Sequence, residues 1–192
     1  MPELGRPEGV SDDHGLPDAD AVGFAREIAL RQLTVRARTR EELRRALTAR
    51  HVPQQAAQEV IDRFEGVGLI NDEVFARDWV SAQNRRFRGR RTLAQELTAK
   101  GIERDLVDQA VSSISAEQEY QTALTLARRR LSSLAGLDRA VQYRRLAGLL
   151  ARRGFGAGVV SAVLRDALGG AHVDVLASPD AEPMDEPAPG GL

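Results

Sequence analysis

The feature that most constrains this chain is a threefold internal pattern. His51, Gly101 and Gly154 recur at intervals of about 50 residues, and each closes the same short arrangement. Four residues before each stands a Leu (Leu47, Leu97, Leu150), and eight before stands another (Leu43, Leu93, Leu146). One before is a base (Arg50, Lys100, Arg153), and one after is apolar (Val52, Ile102, Phe155). Two leucines one turn apart ahead of a Gly describe a buried helical stripe that ends in a left-handed cap. The apolar residue beyond the cap then turns back into the core. Nine and ten after each anchor, the pairs Val60–Ile61, Ala110–Val111 and Val163–Leu164 belong to a following helix. Apolar periodicity places one more helix ahead of each arrangement, over roughly 24–35, 72–86 and 116–133.

The pattern predicts an all-α chain of three tandem three-helix repeats, at 23–70, 71–114 and 115–169. Each repeat is small for independent stability, so neighbours are expected to stack into an elongated, curved molecule. Local signals agree. Residues 23–169 contain a single proline, Pro53, and no strand-like alternation. Thr39 ahead of Glu41 and Glu42 reads as a helix N-cap with acids in the first turn. Pro53 suits a first turn, Gly66 and Gly68 a helix end, and Asp72 and Asp138 helix starts. His51 stands where the other repeats have Gly, which implies a strained cap in the first repeat.

The net charge of -1 hides an uneven distribution. Residues 1–22 carry six acids against Arg6 alone, and residues 170–192 carry five acids and no Lys or Arg. These two stretches hold seven of the eight prolines and read as disordered acidic tails. The body between them, 23–169, has 26 bases against 17 acids. A basic body favours a polyanionic partner, nucleic acid above all; a solvated Arg-rich surface is the alternative that charge alone leaves open.

Several chemistries are disfavoured. Without Cys there is no disulfide framework, thiolate zinc site or cysteine nucleophile. His14, His51 and His172 lack ligand spacing, so no metal is expected. No nucleophile–base pair or phosphate-binding Gly loop is present, so neither an enzyme nor a cofactor is expected. No apolar run approaches the roughly 18–20 residues of a membrane span, and the acidic N-terminus has no apolar signal core. A soluble, cytoplasmic, monomeric protein is the expectation.

Three windows carry bases and no acid. They hold Arg85, Arg86, Arg88, Arg90 and Arg91; Arg128, Arg129 and Arg130; and Arg139, Arg144, Arg145, Arg152, Arg153 and Arg165. By contrast Glu27–Arg31, Glu41–Arg45 and Glu59–Arg63 are i,i+4 pairs that support a helix surface. Arg85 and Arg86 are placed at a helix end, where the dipole suits them. Arg90 and Arg91 are placed at a helix start, where it does not, which suggests an external anion. At about 100° per residue, Arg144, Arg145 and Arg152 share one face, opposite Tyr143, Leu146, Ala147 and Leu150. Phe24, Phe64, Phe75, Trp79, Tyr143 and Phe155 read as core. Phe87, among arginines, reads as loop packing, with insertion into a partner or stacking on a base as alternatives.

The stretch Gly68-Leu69-Ile70-Asn71-Asp72-Glu73-Val74-Phe75-Ala76-Arg77-Asp78-Trp79-Val80 closely resembles the signature of the RecX family. The resemblance continues through Arg85-Arg86, Gly89-Arg90, Leu93, Glu96-Leu97 and Lys100-Gly101-Ile102. Arg36-Ala37-Arg38-Thr39-Arg40-Glu41-Glu42-Leu43 resembles the family's opening motif, and Arg152-Arg153-Gly154-Phe155 its third-repeat ending. It implies a non-enzymatic regulator of the RecA recombinase that lies in the groove of the RecA–single-stranded-DNA filament. Such proteins typically inhibit the filament's ATPase and strand exchange, and many also bind DNA by themselves. On this reading Arg85, Arg86, Arg88, Arg90, Arg91 and Lys100 face phosphate or an acidic protomer surface, and Arg144, Arg145 and Arg152 make a second contact. A helical DNA-binding protein acting without recombinase, and a scaffold that binds protein through a concave face, are the competing readings.

Overall fold

The computed structural model describes residues 18–169 of the chain. The acidic stretches 1–17 and 170–192, expected as tails, lie outside the described residues. Among the described residues are nine helices and no strand: α1 (Asp18–Val35), α2 (Arg40–Thr48), α3 (Gln54–Gly66), α4 (Asp72–Asn84), α5 (Arg90–Ala99), α6 (Arg104–Ser112), α7 (Ala116–Ser132), α8 (Arg139–Arg152) and α9 (Ala157–Leu168). They fall into three consecutive triplets. α1 begins at Asp18, so residues 18–22, assigned above to a tail, are helical instead. Ala21 is buried there, which gives this extra turn a packing reason.

The caps follow the pattern read from the sequence. α2, α5 and α8 each end in the same two hydrogen bonds. The N–H of His51, Gly101 and Gly154 donates to the carbonyl of Thr48, Thr98 and Ala151, and the N–H of Val52, Ile102 and Phe155 to that of Leu47, Leu97 and Leu150. This is the Schellman arrangement, which requires a left-handed residue at its centre. φ is 57° at His51, 80° at Gly101 and 87° at Gly154. All six stripe leucines are fully buried, and Val52, Ile102 and Phe155 are buried behind them. Burying such a side chain contributes about 1.5–3 kcal/mol, so the first arrangement offsets the strain of its His51 cap.

The described residues pack as two compact units. One runs to Ala76 and adds Leu97–Leu106; the other comprises Arg77–Glu96 and Val107 onward. The second triplet thus contributes to both. In the first unit, α1, α2 and α3 close around Ala25, Ala29, Leu43, Leu47, Ile61 and Phe64. In the second, α7, α8 and α9 close around Ala123, Ala127, Leu146, Leu150, Phe155 and Val163. Phe64, Phe75 and Phe155 are core as expected, whereas Phe24 is 43% exposed and is not.

Candidate nucleic-acid or protein interface

In each unit the start of one middle helix is laid against the cap of another, and this junction decides which cations are free. In the first unit the start of α2 meets the end of α5. The buried Thr39 caps α2 by accepting from the Glu42 N–H (3.1 Å) and donates its hydroxyl to the Lys100 carbonyl (2.7 Å). The Arg40 N–H donates to Asp72 Oδ1 at 3.0 Å. In the second unit the start of α5 meets the end of α8. The Gly89 N–H donates to the Arg153 carbonyl (2.8 Å) and the Arg91 N–H to that of Gly154 (3.1 Å). The Arg90 N–H donates to Glu119 Oε1 at 3.2 Å. The following triplet thereby satisfies the otherwise orphaned N–H of Arg40 at the start of α2, and those of Gly89, Arg90 and Arg91 at the start of α5.

The same junctions consume two of the predicted site cations. Arg90 sends its Nε to within 3.2 Å of Glu119 Oε2 and donates to the Ile114 carbonyl. Its place against the helix dipole is compensated by an internal carboxylate, not by an external anion. Lys100 is largely buried, lies 2.8 Å from Glu42 Oε1 and sits over the Phe75 ring at 5.5 Å. Arg88 is partly engaged as well, 3.6 Å from Glu96 Oε1. These three partners come from 8, 29 and 58 residues away in sequence, for Arg88, Arg90 and Lys100 respectively. None of the three carboxylates lies in the same turn of helix as its cation, so local spacing does not reveal them. The signal that could have done so is the equivalence of Arg40 and Arg90 at two helix starts, each with an acid early in the next triplet.

Arg85, Arg86 and Arg91 are exposed, and among the described residues none has a carboxylate partner. Arg85 donates to Ser81 Oγ at 3.2 Å. Arg85 and Arg86 close α4 as expected, in its capping turn. α4 stops at Asn84, and a Schellman arrangement centred on Phe87 follows it, with φ 58°.

The expected face of α8 is realised. Arg144, Arg145 and Arg152 are exposed, opposite the buried Leu146 and Leu150. They line an open groove of about 700 Å³ together with Arg129 and Arg130 of α7, Arg153, Leu126 and Leu149. Six guanidinium groups and two leucines make this surface, and among the described residues none of the six has a carboxylate partner. Arg129, Arg130 and Arg153 were not singled out individually from the sequence; they came from two different acid-free windows, which the fold brings together. Two contacts join the groove to the α4–α5 loop. Arg153 donates to the Arg86 carbonyl at 2.9 Å, and the Arg129 guanidinium lies 4.9 Å from the Phe87 ring centre. The predicted set therefore divides: three members share the groove, three are exposed on or beside the loop, and Arg88, Arg90 and Lys100 serve internal contacts.

No group of three or more His, Asp or Glu suited to a metal ion occurs among the described residues, and no described helix is long and apolar enough to cross a membrane.

Three family models match the chain: RecX, first three-helix domain over 25–64; second over 71–111; and third over 117–164. The regulatory protein RecX of Streptomyces coelicolor is 49% identical over 157 residues, 81% of this chain and 84% of that protein. Its counterpart in Thermobifida fusca is 43% identical over 157 residues, 81% and 85%. A crystal structure of RecX from Lactobacillus salivarius aligns with a TM-score of 0.72 at 20% identity, covering 78% of this chain and 97% of that one. A second crystal structure, of regulatory protein RecX, aligns at 0.69 and 21%, covering 76% and 72%.

Proposed function

The chain belongs to the RecX family, and from that premise we propose that it regulates the RecA recombinase, mainly as an inhibitor and without catalysis of its own. It works in the cytoplasm, in DNA repair, recombination and the SOS response. It binds the RecA–single-stranded-DNA filament in its groove and restrains ATP hydrolysis, strand exchange and filament growth. The observation that carries this reading is the six-arginine groove of the second unit. Like charges gathered on one surface repel, and no carboxylate among the described residues relieves them; a polyanion does. DNA phosphates and acidic protomer surface both meet that requirement, and a filament offers the two side by side. Arg85, Arg86 and Arg91 extend the contact. Arg88, Arg90 and Lys100 act in the protein's own stability.

The test is ATP hydrolysis by RecA on single-stranded DNA, titrated with the full chain. Inhibition that saturates and weakens with added salt is expected. No effect at saturating protein overturns the regulatory role. Tight binding to bare DNA that recombinase does not enhance would favour a DNA-binding protein acting alone, because the groove suits free phosphates equally well.

A further inference from the structure

Phe87 is held in a conformation that its side chain resists. Its φ of 58° lies in the left-handed region, at a cap position that Gly occupies at least cost. A Gly there would keep the cap and remove the strain, so the ring itself needs an explanation. Strain of this kind collects at functional sites. The ring is only half-buried. It lines a shallow pocket of about 300 Å³ with Asn84, Arg85, Gln121, Thr122 and Thr125. Asn84 accepts from the Thr122 hydroxyl (3.5 Å), and its NH2 group has no partner among the described residues. Gln121 donates to Glu117 (2.8 Å), and its carbonyl oxygen likewise has none. The pocket thus offers an aromatic ring, one free donor and one free acceptor. Arg129, over that ring, also lines the arginine groove.

We propose that Phe87 is a base-stacking residue, and that the pocket beside it receives an unstacked nucleobase of a single strand whose phosphates lie in the arginine groove. This rests on the nucleic-acid contact proposed above and names its ligand. A ring with a donor and an acceptor suits any base, because every base has a π face and a mixed polar edge. Duplex DNA, with its bases paired and stacked, cannot fill the pocket. The site therefore separates single from double strands, which the groove's charge alone does not.

The test measures binding of the full chain to a fluorescent oligothymidylate and to an abasic oligonucleotide of equal length and charge. The wild-type chain is expected to bind the thymidylate on the order of tenfold more tightly. Phe87→Gly abolishes the difference while its thermal midpoint stays level or rises, since Gly relieves the strained φ; Phe87→Tyr retains the difference. The triple variant R144A/R145A/R152A weakens both ligands alike. Equal affinity of the wild-type chain for the two oligonucleotides, or no binding to either, overturns the inference, as does a Phe87→Gly protein that keeps the preference. Recombinase inhibition that persists alongside such a failure leaves the regulatory reading standing.

Discussion

The cap residues show how one position changes meaning with its neighbours. A Cβ at Gly154 would lie 2.5 Å from the Thr92 backbone nitrogen, and one at Gly101 within 2.3 Å of the Glu41 side chain. Both sites therefore need Gly for room as well as for φ. His51, at the equivalent cap, is exposed, so it bears the backbone strain and no clash. His51→Gly should stabilise the protein by about 1 kcal/mol, whereas Gly154→Ala should cost about 2 kcal/mol or more, both read by urea denaturation. The left-handed caps were legible in the sequence, because only Gly or a strained residue serves there; the close approach was not, since it depends on a helix about 60 residues away. Glu42 makes a second residue-level case. Burial pushes its carboxyl up, but Arg36 and Lys100 together outweigh burial and hold it below the usual carboxylate range. Its contribution is complete above the ordinary Glu pKa of about 4.3 and is lost as pH falls through its lower folded value. Glu42→Gln should therefore cost about 1–2 kcal/mol at neutral pH and progressively less in acid, as denaturation across a pH series will show. Asp72, raised by burial, runs the other way: its contribution is greatest in acid and is lost as pH rises through the folded value.

At the scale of elements, the helix starts account for most of what the sequence concealed. The periodicity of apolar residues gave three helices to each repeat, and its bounds for α4 and α7, 72–86 and 116–133, lie within two residues of those observed, since a buried stripe has one spacing. The error at α1 arose where acids and small residues hid a turn that packs through Ala21. The acids that serve α2 and α5 were hidden for a different reason. Asp72 and Glu119 stand in the first turn of their own helices, where carboxylates are ordinary, yet each also accepts from a helix start elsewhere. Glu119 is buried and holds both the backbone N–H and the guanidinium of Arg90. Glu119→Ala should destabilise the protein by about 2–3 kcal/mol, because it leaves a partly buried cation and a helix donor unsatisfied; thermal and urea unfolding check this. For the same reason, replacing all of Arg85–Arg91 by Ala would mix a contact effect with a stability effect. Arg144, Arg145 and Arg152, which have no carboxylate partner among the described residues, avoid that mixture.

At the scale of the molecule, charge is the argument. The acid-free windows were legible as composition, but their meeting was not: α7 and α8 contribute to one groove only because the α7–α9 core turns both basic faces to the same side of the second unit. If phosphates fill that groove, the logarithm of affinity for single strands should fall linearly with that of salt, and the triple variant R144A/R145A/R152A should lessen the slope by about 2. The central claim is that this groove carries the inhibitory contact. It is tested most directly by inhibition of RecA's DNA-dependent ATP hydrolysis by R144A/R145A/R152A, with circular dichroism confirming native helicity. The concentration for half-inhibition should rise on the order of tenfold or more, as expected for three lost charge contacts. Inhibition at the wild-type concentration by a fully folded variant would contradict the account and place the contact elsewhere on the chain.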